Sequence, residues 1–279
     1  MADYGGADRI SSLPDSVLCY IIGFLPILEV VRTCILSHRC ESLWKSVPSL
    51  NFEADSKSIM KMVKKSQGTN TDDDDLLHER YMLYSVGMKP NLLNIITKVL
   101  NSHCGTVDSC LIKYYLQKDL GFTRLVGWIE KLLKLKKIRK LTLICYNESS
   151  SSTSRFSRIK PKENNFRSGL FSFETLNVLE LNGCEINNAS PFKGCSNLCI
   201  LILKNLILTG ETFQEIVSIC VNLEKLILQK IYSIRNLKVI HDSLKMMSYS
   251  HGPPRSWSSH IMTFHFGKGK IYMIAYPFT

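Results

Sequence analysis

The feature that most constrains this chain is the spacing of leucines in its second half. Leu176, Leu179, Leu181, Cys184 and Ile186 fit the pattern L-x-x-L-x-L-x-x-C-x-L. Leu198, Leu201, Leu203, Leu206 and Leu208 fit it again 22 residues later, with Leu206 where the pattern calls for Asn or Cys. Leu223, Leu226, Leu228 and Ile231 follow after 25 more residues, and Leu244, Met247 and Tyr249 make a weaker copy after another 21. Side chains alternate across a strand, so the paired leucines of each copy face one way and the residues between them face the other. A unit this short cannot bury its own apolar edge, and stacked units solve that by sharing one core. The expected architecture is therefore an α/β solenoid, a short horseshoe. Earlier units read as a helix carrying Leu92, Leu93, Ile95, Ile96, Val99 and Leu100, a strand with Val107, Cys110 and Ile112, a helix from Thr123 to Leu135, and a strand with Ile138, Leu141 and Leu143. Thr212 to Cys220 has the period of a return helix.

The N-terminal segment follows a different rule. From Asp8 to Phe52 it reads as three short helices with more apolar surface than they can hide. Ser12 is placed to cap, Pro14 suits a first turn, and Asp15 occupies a capping-box position. Leu13, Val17, Leu18, Ile21, Ile22 and Leu25 recur at helical spacing. Pro26 ends that helix and opens the next. Ile27, Val30, Val31, Cys34 and Ile35 form a second stripe; Cys40, Leu43, Trp44 and Val47 form a third. Three helices in roughly 45 residues make a marginal domain, so the surplus apolar area points to a partner.

The string DRIS-LPD, then FLP, then ILS-R--LW--P-L-F resembles the F-box of the large plant F-box/leucine-rich-repeat family. It aligns Leu13, Pro14, Leu25, Pro26, Leu36, Ser37, Arg39, Leu43, Trp44, Pro48 and Phe52 together. The stretch VGWIEKLLKLKKIRKLTL is similar to the segment that opens the repeat domain in the same family. This resemblance implies an F-box over 8–53, a linker over 54–90, leucine-rich repeats over 91–250 and an atypical tail over 251–279. It implies docking on a Skp-type adaptor of a cullin-based ubiquitin ligase through Leu13, Pro14, Val17, Leu18, Ile21, Ile22, Leu25, Pro26, Leu36, Leu43 and Trp44. One departure stands out: the family carries Trp-Arg where this chain has Cys40 and Glu41. Trp-to-small changes in a core cost about 3–5 kcal/mol, which leaves two outcomes open: a core repacked around Cys40, or adaptor binding weaker than in relatives. The C-terminal FBD domain of one branch of the family is not legible here.

Composition narrows the function classes. The chain has 279 residues and a net charge of +11. Residues 1–55 hold 4 Lys/Arg against 7 Asp/Glu, and the remainder holds 31 against 17, so the repeat half is strongly basic. A lysine-rich solvated face accounts for this more simply than nucleic acid does. No run reaches the roughly 18 apolar residues of a membrane span, and the short acidic N-terminus is unlike a signal peptide. The ten cysteines form no C-x-x-C pair and read as reduced, which places the protein in the nucleus or cytoplasm. Residues 66–75 (SQGTNTDDDD) read as a solvated linker. The Ser- and Arg/Lys-rich stretch 149–168 reads as a flexible insertion. Ile261 to Tyr276 reads as a hairpin around Gly267.

No catalytic constellation appears. His103, Cys104 and Cys110 match no zinc spacing, and there is no phosphate loop, dinucleotide fingerprint or nucleophile elbow. No cofactor is expected. The residues between the repeat leucines give the expected target surface: Lys140, Thr142, Glu180, Asn182, Lys204, Lys225 and Gln229, interleaved with Val178, Ile200, Ile202 and Ile227. The resulting expectation is a non-enzymatic target receptor of a Skp–cullin–F-box ligase. An adaptor-independent repeat-domain binder is the alternative.

Overall fold

The computed structural model describes residues 9–33, 37–53, 94, 96–116, 121–147, 166–232, 234, 236–250 and 261–266. The chain forms two compact units, Met1–Val107 and Asp108–Thr279. The expected acidic linker, most of the 149–168 insertion and the second half of the expected hairpin lie outside the described residues.

In the first unit, α1 runs Asp15–Ile22, α2 Ile27–Arg32 and α3 His38–Leu43, followed by a strand β1, Ser49–Phe52. The expected Ser12 cap does not form. Ser12 Oγ donates instead to the Arg9 carbonyl at 2.9 Å, and Pro14 occupies the cap position of α1 without a side-chain bond. A serine two residues short of the cap reaches back to its own turn rather than forward to the helix. Pro26 opens α2 as expected, its carbonyl accepting the Glu29 and Val30 amides at 2.8 and 3.0 Å. Ser37 caps α3 by accepting from the Cys40 amide at 3.2 Å. The helical residues 96–102, which the leucine pattern assigned to the repeats, fall in this first unit.

The second unit is a parallel ladder. Its strands are β2 (Ser109–Leu116), β3 (Lys140–Asn147), β4 (Val178–Asn182), β5 (Ile200–Ile207), β6 (Lys225–Tyr232) and β8 (Met246–Ser250). Each pairs with the next in that order. The register stacks Leu141, Leu179, Leu201, Leu226 and Met247 in one row, and Leu143, Leu181, Leu203, Leu228 and Tyr249 in a second. All of these are buried except Tyr249, which is half-buried. Burying one such leucine contributes about 1.5–3 kcal/mol, and the stacking repeats that gain strand by strand. Behind the rows lie α4 (Gly121–Lys134), which buries Leu125, Trp128, Ile129, Leu132 and Leu133, and α5 (Gly210–Ile219), which buries Phe213, Ile216 and Val217. Thr209 caps α5, so the helix begins two residues before the expected Thr212. Phe166, Phe171 and Phe192 stack at centroid spacings of 5.6 and 5.5 Å; there the return path is turns and a 3-10 segment, Ser190–Phe192, in place of a full helix.

Two recurring devices set the repeat. At each strand entry one carbonyl accepts two successive amides from the next unit. Asp108 takes Arg139 and Lys140, Arg139 takes Asn177 and Val178, and Asn177 takes Cys199 and Ile200. Cys199 then takes Glu224 and Lys225, and Glu224 takes Lys245 and Met246, all at 2.8–3.0 Å. On the exit side a residue in the left-handed region turns the chain: Gly183 at φ 67°, Asn205 at φ 50° and Lys230 at φ 52°. These are register equivalents, one step beyond or within the paired rows. At Gly183 the choice is forced twice, since a Cβ would also drive into the Cys145 carbonyl oxygen.

The tail shows the first strand of the expected hairpin, the rest of which lies outside the described residues. Residues Ile261–Phe266 do form a strand, β9, but it pairs in parallel with β7 (Asn236–His241) as a separate two-stranded sheet. Two strands 25 residues apart in register cannot share a tight turn; a parallel pair needs a long crossover.

Candidate functional site

Two surfaces carry the candidate functional residues, one on each unit. On the first unit, Arg39 organises the N-terminal loop. Its Nε donates to Asp15 Oδ1 at 2.6 Å, one terminal nitrogen to the Ser11 carbonyl at 2.7 Å, and the other to the Leu13 carbonyl at 2.5 Å. A planar guanidinium alone among side chains offers donors in that fork. The loop Ser11–Leu13 is thereby held against the start of α3, 26 to 28 residues away in sequence.

This clamp presents two different faces of α1. Leu18 and Cys19 pack inward with Leu43, and the half-buried Leu13 and Ile22 close over them. The Cys19 thiol points at the Leu43 carbonyl, 3.5 Å away. Outward lie Val17, Tyr20, Ile21 and Phe24, spaced as one helical stripe, and they are 40–68% exposed. The Tyr20 and Phe24 rings meet edge to face at 4.9 Å. Ile10, Leu25 and Val31 extend the exposed apolar area. Contiguous exposed apolar surface of this kind marks an interaction site.

The sequence-derived adaptor residues therefore divide. Val17, Ile21, Leu25 and Pro14 reach the surface, while Pro26, Trp44, Leu13 and Ile22 are half-buried. Leu18 and Leu43 are corrected to core positions, at 7% and 5% exposure, because they fill the space between α1 and α3. Leu36 lies outside the described residues. Tyr20 and Phe24 were missed. Their signal was available: they sit at i+3 and i+7 from Val17. Cys40, the departure from the family pattern, is half-buried on α3, with its sulfur 3.2 Å from the capping Ser37 hydroxyl. Glu41 is exposed, 3.8 Å from His38.

On the second unit, the register converts the residues between the leucines into three rows on the open face of the sheet. One row is Lys140, Val178, Ile200, Lys225 and Met246; the next is Thr142, Glu180, Ile202, Ile227 and Ser248; the third is Ile144, Asn182, Lys204, Gln229 and Ser250. The seven expected target residues all fall on this face. They are not equally available. Thr142 is 5% exposed, so it is a floor residue rather than a contact. Lys204 Nζ bonds Glu180 Oε1 at 2.7 Å with both side chains largely covered, so the two charges cancel locally. Asn182 accepts from Asn205 at 2.7 Å. Lys140 is exposed and Lys225 half-buried, leaving basic character at the strand-entry edge. Sequence alone could not show the Lys204–Glu180 pair, because it depends on the register of β4 and β5, which sets Lys204 diagonally across from Glu180.

His103 Nε2 lies 2.9 Å from the Val47 carbonyl, a structural bond, and Cys104 is exposed. No group of three or more metal-type ligands occurs among the described residues. No helix among them is long and apolar enough to cross a membrane.

Comparison with known proteins adds family to geometry. A model of the F-box domain matches residues 10–52, and a model described as FBD-associated F-box protein At5g56370, LRR repeats, matches residues 125–261. The chain is 28% identical over 222 residues to F-box protein At1g80960 of Arabidopsis thaliana, covering 79% of this chain and 40% of that one. It is 27% identical to F-box protein At3g60790 of the same plant, covering 80% and 40%. Over 50 residues, 18% of this chain and 11% of the relative, it is 52% identical to F-box/FBD/LRR-repeat protein At3g52680, also from Arabidopsis. It thus spans about two fifths of the length of the first two relatives. No solved structure matches it. The α1 stripe and the leucine ladder fall inside the two matched segments, so the chain carries an F-box domain and leucine-rich repeats like those of the plant F-box proteins it is similar to.

Proposed function

We propose that this chain is the target-recognition subunit of a Skp–cullin–F-box ubiquitin ligase. The observation that carries the reading is the exposed stripe Val17, Tyr20, Ile21 and Phe24 inside the segment that the F-box model matches. A Skp-type adaptor covers that stripe, and the open face of the repeat ladder holds the target. The face offers apolar rows bordered by Lys140 and Lys225, which suits a target whose apolar side chains are flanked by carboxylates. The chain itself performs no bond chemistry. It acts by proximity, raising the effective concentration of target lysines beside the charged ubiquitin carrier. This role places it in the nucleus or cytoplasm.

The test is co-purification with a Skp-type adaptor, wild type beside Ile21→Asp/Phe24→Asp. A stoichiometric complex that the double substitution abolishes, with unchanged circular dichroism, is the expected result. A folded wild-type chain that captures no adaptor would overturn the reading in favour of an adaptor-independent repeat-domain binder.

A further inference from the structure

Nine of the ten cysteines are described, and two of them meet. Cys145 Sγ and Cys184 Sγ are 3.0 Å apart, both residues buried, 39 positions apart in sequence. Cys145 lies on β3, and Cys184 follows the left-handed turn at Gly183 that ends β4. The last paired step is Ile144 with Asn182. One step further sets Cys145 beside Gly183, where an added Cβ would run into the Cys145 carbonyl. The sulfurs, already 3.0 Å apart, need to approach by only about 1 Å to reach the bonded distance. At the equivalent position the next two units carry Leu206 and Ile231, so among these units only Cys184 keeps the thiol that the repeat pattern admits there, and it meets a second thiol at Cys145.

We propose that Cys145 and Cys184 form a reversible disulfide that ties the β3 unit to the β4 unit, made by a peroxide-class oxidant. One sulfur attacks the peroxide, the O–O bond breaks, and a sulfenic acid forms with release of water. The second sulfur then attacks the sulfenic sulfur, the S–S bond forms, the S–O bond breaks, and hydroxide leaves with the second thiol's proton as water. Two electrons pass from the sulfur pair to the peroxide, and two waters result. The hydrogen bond shared with Cys145, followed by burial, holds the Cys184 thiol well above the usual range, so the reaction is slow and waits on local opening. Once made, the bond closes a loop through the Ser- and Arg/Lys-rich stretch that separates the two cysteines in sequence, and it constrains the unfolded chain.

The experiment uses the full chain. Reduced protein is treated with hydrogen peroxide, quenched in acid, unfolded, alkylated and mapped by mass spectrometry. The expected product joins the Cys145 and Cys184 peptides with loss of two hydrogens, and dithiothreitol reverses it. The thermal midpoint of wild type rises by a few degrees on oxidation, and that of Cys184→Ser or Cys145→Ser does not. Two controls are named so that misfolding of one leaves the other. Recovery of both cysteines fully alkylated after exposed Cys104 is oxidised would overturn the proposal. So would Cys145 joined to Cys195 or Cys220 as often as to Cys184, the mark of scrambling in an unfolded chain.

Discussion

Arg39 bonds two carbonyls and a carboxylate, and each partner lies on a segment that nothing else in the described bonding ties to α3 so directly. Its side chain is 37% exposed and that of Asp15 66%, so solvent discounts the ionic part. The carbonyl bonds carry more of the effect. Arg39→Met should cost about 1–2 kcal/mol in urea unfolding, and Arg39→Lys should recover little of it, because an ammonium cannot reach all three acceptors. Equal stability of the arginine and lysine forms would contradict the clamp. A second residue-scale effect concerns pH. Burial pushes the Cys220 thiol from 9.0 up to about 12, so the folded state holds this proton more tightly than the unfolded chain. Its contribution is complete below pH 9 and is lost as pH rises toward 12. Burial also raises Cys110 and Cys195. Stability should therefore fall across the alkaline range, and Cys220→Ala should flatten that slope; an unchanged slope in denaturation at pH 8, 9 and 10 would refute the assignment.

At the scale of the element, the exit turn of each repeat sets a graded comparison. Gly183→Ala meets both a left-handed backbone and the Cys145 carbonyl. It should destabilise by more than the roughly 1–2 kcal/mol of left-handed strain alone. Lys230→Gly at φ 52° relieves strain at an exposed side chain, and a neutral to slightly stabilising effect is expected. Calorimetry on the two variants should give shifts of opposite sign. Within the core, Leu201→Ala should cost about 2–5 kcal/mol, since the residue is fully buried between Leu179 and Leu226. These elements were legible to different degrees. Strands with inward leucines followed from a two-residue period, and α5 from a 3.6-residue period. The turn returns beside Phe171 and Phe192 were not legible, because aromatic stacking across units replaces helical periodicity there. The exit column was hidden too, since Gly, Asn and Lys share a backbone conformation and no side-chain chemistry.

Across the whole molecule, two units with separate surfaces should respond separately to substitution. Lys140→Glu/Lys225→Glu should weaken target capture at least tenfold while adaptor co-purification stays at wild-type level. Loss of both together would mean the surfaces are not independent. What the sequence determined by itself was the leucine-bearing strands, the helices α4 and α5 and the inward rows, because the hydrophobic periods of strand and helix are local properties of the chain; β1 and β7 were not legible in it. It also placed the seven target-face residues on one side of the sheet, since alternation along a strand is a local rule. Tertiary structure decided which of those residues reach solvent. Thr142 is covered and Lys204 is neutralised by Glu180 only because parallel strands of different repeats come into register. It likewise decided that Leu18 and Leu43 turn inward while Tyr20 and Phe24 turn outward. A helix with apolar residues on most of its circumference does not specify its buried face; the position of α3 against it does.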